Sequence, residues 1–435
     1  MAQDPVNISS NIHKFKQFNI KKIALKNDLN FVLTMWGLSR LLILFSFWGI
    51  APLIPVPPRG ARAVIGLEAL SWWDGLWYIE IATEGYSYIN DLEYHSVAFF
   101  PLLPLLMRGL MVFGISPLVA GILINNTAFF GALWLIYRWL KQQQGENVAR
   151  WAIATLSWCP YSLYGTVLYT EGLFLLLTTA TLWAFEKEQY GRVALLGILT
   201  TATRSPGVAM IPAFLIIALW KRKPPVAYLA SLAMAGGIVA YSVYCGLKFG
   251  DPLAFVHVQV AWGRTRGFDW TDWQRIVMYT LIGVPNWNAR QLQDIFYPVA
   301  MLLVAGLGFI FWYFRQKLGA ISPYGTVVLL VILWLLAGDS FLRLGMVWGG
   351  LILLLITCRK LPPGVILYGL FNLGIILSSG RSSSSERLAY GIVSLSMAAG
   401  VVLARYPRFG YGFMGFLGLL LVTVTIRFAQ QTWVA

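Results

Sequence analysis

A succession of apolar segments dominates this 435-residue sequence and restricts what the chain can fold into. About 20 apolar residues are needed for a helix that crosses a bilayer, and runs approaching that length alternate with short polar breaks along most of the chain. Charged residues make up 12% of it, about half the share of roughly 25% in soluble proteins. This excludes an ordinary soluble enzyme, and the apolar content excludes a disordered chain. We therefore expect an all-α polytopic membrane protein.

The apolar pattern predicts about 11–13 transmembrane helices. The predicted spans cover residues 30–50, 117–138, 151–168, 172–186, 192–203, 207–220, 226–248, 296–314, 322–338, 342–358, 362–378, 388–404 and 410–428. Several are shorter than a bilayer requires, so we expect some to be tilted, broken or buried among neighbours. The stretch 97–114 does not fit as a full span, because Pro101 and Pro104 favour a broken or partly inserted helix.

The distribution of basic residues predicts the orientation of the chain. Residues 1–29 are polar and basic, which indicates a cytosolic N-terminus without a cleavable signal peptide. From this start, most basic residues between the spans fall inside, so the positive-inside effect explains the net charge of +15 better than nucleic-acid binding does. Two long loops, 51–96 and 249–295, then lie outside. Both mix tryptophan with charge, as interfacial helices do, and residues 1–435 are interpreted as one membrane domain.

No metal or cofactor site is expected from the sequence. Cys159, Cys245 and Cys358 lie in apolar surroundings and are interpreted as small buried hydrophobic residues. No cysteine–histidine cluster has zinc spacing, and no phosphate-binding loop of the G-x-x-x-x-G-K-[ST] type occurs. The sequence shows no cytosolic domain for a nucleotide sugar, and neither long loop contains D-x-D, so a sugar donor, if one is used, would have to arrive on a lipid.

Asp74 in the first long loop is the best candidate for a working carboxylate. A helix that begins there places Trp77, Tyr78 and Ile81 on the face of Asp74. Apolar neighbours raise the pKa of a carboxyl group and suit it to accept a proton, and the rings can also stack on a sugar. The alternative is that Asp74 only caps an interfacial helix.

Four further residues are polar candidates on the same side of the predicted membrane. Glu171 precedes an apolar run. It either begins a helix, where the helix dipole favours an acidic side chain, or has a function on the same outer face as Asp74. Arg204 lies between two short spans and needs an anion, either a phosphate or a carboxylate such as Glu171. His95 either binds substrate or caps the following helix. Arg387 follows a serine-rich run and either is solvated with that loop or, at the head of a span, holds a phosphate.

Two segments, WDGLWYIEIATEGY and HSVAFFPLLPL, resemble the bacterial branch of the GPI mannosyltransferase II (PIG-V type) family. Three more match in the same order: YTEGLFLLLTTATLWAFE, GRVALLGILTTATRSPGVAMIPAF and FGDPLAFVHVQVAWGR. Together they cover most of residues 70–265. Ser-Glu-Arg-Leu-Ala-Tyr at 385–390 stands where the family usually shows Arg-Tyr followed by a proline in the next helix.

The resemblance implies a GT-C glycosyltransferase fold in a bacterial plasma (inner) membrane. Such enzymes transfer a sugar from a polyprenyl-phosphate donor, dolichyl-phosphate mannose in eukaryotic members, to a lipid-linked or glycan acceptor outside the cytosol, with inversion. The resemblance makes Asp74 the catalytic base. The residues that it implies in substrate binding are His95, Glu171 and Arg204, with Gln259, Trp262 and Arg264 of a second-loop motif.

Two other classes of protein compete with a transferase. A transporter or flippase of lipid-linked sugars shares an arginine-lined cavity but needs polar residues on both sides of the membrane midplane. Here the notable polar residues concentrate on one side, which favours the enzyme. A non-enzymatic membrane subunit predicts no lipid cavity.

Overall fold

Helices account for nearly all regular structure in the chain. The computed structural model describes residues 6–263 and 267–434, with side chains from residue 25 onward. Within these residues, extended pairing is limited to one bridge between Gly267 and Ser379. The prediction of an all-α protein is confirmed.

Six helical segments are long and apolar enough to cross a membrane, which makes this an integral membrane protein. Within the described residues these are Leu25–Leu53, Pro117–Gln144, Pro225–Phe249, Phe296–Tyr313, Ile321–Thr357 and Pro407–Ala429. The first overlaps the helix Val6–Phe45, so residues 6–29 of the basic stretch are helical and continuous with the first span. Ile321–Thr357 contains two predicted spans, 322–338 and 342–358, and Gly338 interrupts it with φ +55° and ψ −132°.

Shorter helices fill the rest of the bundle. They are Leu102–Met111, Glu146–Trp158, Glu171–Glu186, Tyr190–Thr201, Met210–Trp220, Pro363–Leu377, Ser385–Tyr390 and Val393–Arg405. Leu102–Met111 has 10 residues and is about 15 Å long, half the thickness of the hydrocarbon core. The stretch 97–114 therefore does not form a full span, as Pro101 and Pro104 predicted.

Two predicted spans and one cysteine differ from expectation. The span 151–168 is not one helix: it ends at Trp158, and a 3₁₀ segment, Pro160–Gly165, follows. Pro160 explains the break, because it lacks an N–H and disfavours helical geometry at the residue before it. The span predicted at 388–404 begins later, at Val393. Cys358 is exposed rather than buried, because it follows the end of the helix Gly350–Thr357.

The helix Pro117–Gln144 forms the centre of the bundle. It packs against Glu146–Trp158 and Glu171–Glu186, and Val393–Arg405 packs on Glu146–Trp158. Small residues allow this close approach: a Cβ atom on Gly400 would lie 2.7 Å from the Val148 carbonyl oxygen.

Both long loops carry short helices, as the sequence predicted. The first loop contains the 3₁₀ segment Leu67–Ser71 and the helix Asp74–Thr83. The second contains Ala254–His257, Trp270–Ile282 and Val284–Ala289.

Candidate active site

Four charged side chains from distant parts of the chain meet in one cluster. Arg387 donates from Nη1 to Oδ2 of Asp74 at 2.8 Å and from Nε to Oε1 of Glu171 at 2.7 Å. Arg204 donates from Nη1 to the same Oε1 atom at 2.5 Å. Two carboxylates and two guanidinium groups therefore balance each other in charge.

The backbone at Trp73 sets the position of Asp74. Trp73 has φ +63°, a conformation that a bulky residue rarely adopts, and the helix begins at the next residue. The hydroxyl of Tyr169 accepts from the Asp74 N–H at 3.2 Å and donates to the Trp72 carbonyl at 3.2 Å. Backbone strain of this kind persists where the surroundings hold it in place, and here Tyr169 contributes to that restraint.

Glu171 is fully buried at the start of its helix. The next residue must be small, because a Cβ atom on Gly172 would lie 2.3 Å from the Asn125 carbonyl oxygen. The Asn125 side chain accepts from the Gly172 N–H at 2.8 Å and donates to the carbonyls of Tyr164 and Val167, each at 2.7 Å. Asn125 thus ties the helix that carries Glu171 to the preceding 3₁₀ segment.

Arg387 is enclosed by aromatic rings. Its guanidinium carbon lies 4.6 Å from the ring centre of Tyr164 and 4.5 Å from that of Tyr169, a cation–π arrangement. The serine-rich segment before it is anchored to the second long loop, because the Ser382 N–H donates to Oδ2 of Asp272 at 2.7 Å. These contacts fix where the guanidinium points.

The cluster borders a cavity of about 340 Å³, within the size range of small-ligand sites. Its polar lining comes from Asp74, Tyr78, Thr203, Arg204, Ser205, Gln259, Ser379, Ser384 and Arg387. Its apolar lining includes Phe99, Phe100, Ile238, Phe255, Trp262, Ile375, Ile376 and Trp433. The site therefore presents charge and an extended apolar surface to the same occupant.

Tyr78 supplies a neutral hydroxyl beside the charges. Burial raises the pKa of Tyr78 to about 12, although the nearby Arg204 opposes this shift. The phenol stays protonated at neutral pH and can donate a hydrogen bond to a ligand in the cavity.

The structure brings most of the predicted site residues together. Asp74, Arg204, Gln259, Trp262 and Arg387 line the cavity. Arg204 takes the carboxylate alternative, because it pairs with Glu171, and it also lines the cavity.

Three predicted residues have other outcomes. Glu171 was predicted to bind substrate but lies behind the two arginines and does not line the cavity. His95 is also not part of the lining. Its Nε2 atom lies 2.8 Å from Oδ1 of Asp91, and it makes no side-chain cap to the following helix. Arg264 lies outside the described residues.

Sequence reasoning missed several residues that hold the site. Asn125 was detectable as a polar residue within an apolar helix, where such residues are costly and tend to be functional. Tyr169 lies in the predicted gap between the spans 151–168 and 172–186, whereas Tyr164 was assigned to the first of these spans. Nothing in the sequence marked Trp433 as a site residue. Its ring centre lies 5.2 Å from that of Trp73, a contact between residues far apart in sequence.

The arrangement can perform two chemical tasks. The carboxylate of Asp74, whose side chain is 19% exposed, can accept a proton from a hydroxyl group in the cavity. The guanidinium groups of Arg204 and Arg387 can stabilise an anion there. Among the described residues, no group of three histidine, cysteine or acidic side chains has the spacing of a metal site.

No family model and no curated protein matches the chain. Among solved structures, ArnT from Cupriavidus metallidurans bound to undecaprenyl phosphate matches with 12% identity and a TM-score of 0.49, over 89% of this chain and 63% of ArnT. The oligosaccharyltransferase AglB from Archaeoglobus fulgidus, in complex with an inhibitory peptide and a dolichol-phosphate, matches with 13% identity and a TM-score of 0.43, over 92% of this chain and 55% of AglB. This chain thus spans less than two thirds of either protein. Similarity of this degree identifies neither a family nor site residues.

Proposed function

We propose that the protein is an inverting GT-C glycosyltransferase that transfers a sugar from a polyprenyl-phosphate donor to a lipid-linked or glycan acceptor. One observation carries the proposal: Asp74, Arg204 and Arg387 line the same cavity, whose remaining surface is largely apolar. A lipid-phosphate sugar needs cations for its phosphate and apolar surface for the start of its chain.

The proposed step uses one carboxylate and two guanidinium groups. The acceptor hydroxyl oxygen attacks the anomeric carbon of the donor from the face opposite the phosphate, and Asp74 takes the hydroxyl proton. A new carbon–oxygen bond forms as the bond from the anomeric carbon to the phosphate oxygen breaks. The electron pair of the broken bond leaves with the lipid phosphate.

Positive charge at the leaving group lowers the barrier of this step. Negative charge grows on the phosphate as the bond breaks, and guanidinium groups already in position stabilise it without reorganisation. Arg204 and Arg387 are held by Glu171 before any ligand binds. The proposed mechanism therefore needs no metal ion or other cofactor.

The finer proposal concerns the sugar and the membrane. The family resemblance of residues 70–265 supports mannose as the sugar, and the distribution of basic residues supports an active site on the non-cytosolic face of a bacterial inner membrane. In this proposal residues 1–435 act as one transferase domain, with the base in the first long loop, 51–96.

The test is transfer from synthetic polyprenyl-phosphate mannose to a lipid-linked glycan, followed by mass spectrometry. The substitution Asp74→Asn should lower turnover by about 100-fold or more, the typical contribution of a general base, while donor binding is retained. Glu84→Gln is the matched control, because it removes an exposed carboxylate next to the same helix. Full activity of Asp74→Asn would show that Asp74 is not the base. Absence of transfer by the wild type with every polyprenyl-phosphate hexose would exclude the proposed function.

A further inference from the structure

We propose that the ion pair between Arg387 and Asp74 acts as a latch: it restrains the catalytic base until the donor phosphate takes Arg387 from Asp74. This inference rests on the proposed function. The geometry behind it is a single guanidinium shared between two carboxylates, with Nη1 on Asp74 and Nε on Glu171. In this state Oδ2 of Asp74 forms an ion pair with the guanidinium, and this pair is lost when the carboxylate takes a proton.

Charge balance explains why the phosphate must compete. The two carboxylates and two guanidinium groups of the cluster leave no net positive charge to attract an anion. A phosphate therefore competes with the two carboxylates for the charge of the guanidinium groups.

Exposure decides which carboxylate gives way. The Glu171 side chain is 0% exposed, whereas that of Asp74 is 19% exposed. Glu171 would keep Arg204 but would lose one of the two cations that compensate a charge without access to solvent. Asp74 lies on the cavity wall and can be solvated or bind the acceptor hydroxyl, so it is the carboxylate that releases Arg387.

The surroundings of Arg387 keep it within reach of both partners. The rings of Tyr164 and Tyr169 enclose the guanidinium, and Glu171 holds its Nε. A small change in the direction of Nη1 then suffices to exchange the carboxylate for a phosphate oxygen. The base becomes free only when the donor is in place, so the donor binds before the acceptor hydroxyl is activated.

Binding of undecaprenyl phosphate to the purified full-length protein in nanodiscs tests this proposal without a catalytic readout. If Asp74 competes for Arg387, Asp74→Asn should bind this probe about tenfold more tightly than the wild type, a difference of about 1.4 kcal/mol. Equal or weaker binding by a folded Asp74→Asn variant would overturn the latch.

Repeating Asp74→Asn in a protein with altered Arg387 distinguishes two explanations for tighter binding. One is release of Arg387, and the other is the loss of a negative charge that repels the phosphate. In Arg387→Lys the shorter side chain should keep Glu171 and lose Asp74, because the Nε atom that binds Glu171 lies nearer the backbone than the Nη1 atom that binds Asp74. The tightening caused by Asp74→Asn should therefore disappear in this background, whereas charge repulsion alone would leave it unchanged and overturn the proposal. Arg387→Gln repeats the cycle if the lysine variant does not fold, as judged by thermal unfolding.

The two hypotheses fail in different ways. If the wild type does not bind undecaprenyl phosphate, both the proposed function and the latch are wrong. If the wild type binds it but Asp74→Asn binds no more tightly, the latch alone is wrong.

Discussion

Glu171 shows how one buried residue can organise a site that it does not line. A single oxygen, Oε1, accepts from both Arg204 and Arg387, and both guanidinium groups reach the cavity. The other oxygen, Oε2, has no hydrogen-bond partner among the described residues. We therefore assign Glu171 a positioning role in the proposed mechanism: it holds two guanidinium groups where the phosphate leaves.

Neutralising Glu171 should destabilise the protein strongly. In Glu171→Gln two largely buried guanidinium groups lose their shared anion, and breaking a buried pair costs about 3–5 kcal/mol. Glu188→Gln is the matched control, because Glu188 pairs with Lys223 but is 55% exposed, and exposed pairs contribute less than about 1 kcal/mol. Thermal or chemical unfolding in detergent measures both variants. Equal stability of the two would show that Glu171 does not compensate the arginines.

At the scale of helices, the break after Trp158 contributes most to the geometry of the site. Pro160 ends the helix, and the following 3₁₀ segment delivers Tyr164 to the guanidinium of Arg387. Asn125, from the central helix, holds this segment and the start of the Glu171 helix through three hydrogen bonds. The site thus lies between the end of one helix at Trp158 and the start of the next at Glu171. Helix ends leave backbone N–H and carbonyl groups that a neighbouring side chain can bind.

Asn125→Ala should loosen this junction. It removes three hydrogen bonds and leaves buried carbonyl and N–H groups without partners, which costs about 3 kcal/mol in total. Asn126→Ala is the control: Asn126 is less buried and donates to the carbonyls of Ile122 and Thr166, so about 1 kcal/mol is expected. The free energies of unfolding check the order. A larger loss for Asn126→Ala would contradict the role assigned to Asn125.

For the whole molecule, the main feature is that the paired charges of the cluster and the basic residues between the spans lie in different places. The pairs formed by Asp74, Glu171, Arg204 and Arg387 gather beside one cavity, whereas many basic residues between the spans lie on the cytosolic side in the predicted orientation. In the predicted orientation, Cys358 faces the cytosol and the first long loop faces outward.

Cysteine labelling tests this orientation. Cys159 and Cys245 are buried and Cys358 is exposed, so a membrane-impermeant maleimide should label the wild type only after the cells are permeabilised. Glu93→Cys combined with Cys358→Ser should be labelled in intact cells, because Glu93 is exposed in the first long loop. Labelling of Cys358 in intact wild-type cells would reverse the predicted orientation.

The helical class, the break around Pro101 and Pro104 and the helix that begins at Asp74 were all predictable, because each depends on residues close together in sequence. The error at 151–168 arose because apolar residues continue past Pro160, so hydropathy alone did not mark the end of the helix. The surroundings of Glu171 were not predictable for another reason: a glutamate at a helix start has the same sequence pattern whether it faces a cavity or pairs with two arginines behind it.

Local sequence thus determined which segments form helices and which residue types can carry out chemistry, since propensity and hydropathy act over a few turns of the chain. Only the tertiary structure decided that Asp74, Glu171, Arg204 and Arg387 share one cluster, because Asp74 and Arg387 are separated by 313 positions. It also decided that His95 pairs with Asp91 and does not line the cavity. Contacts between distant residues depend on how the helices pack, and no short stretch of sequence records that packing.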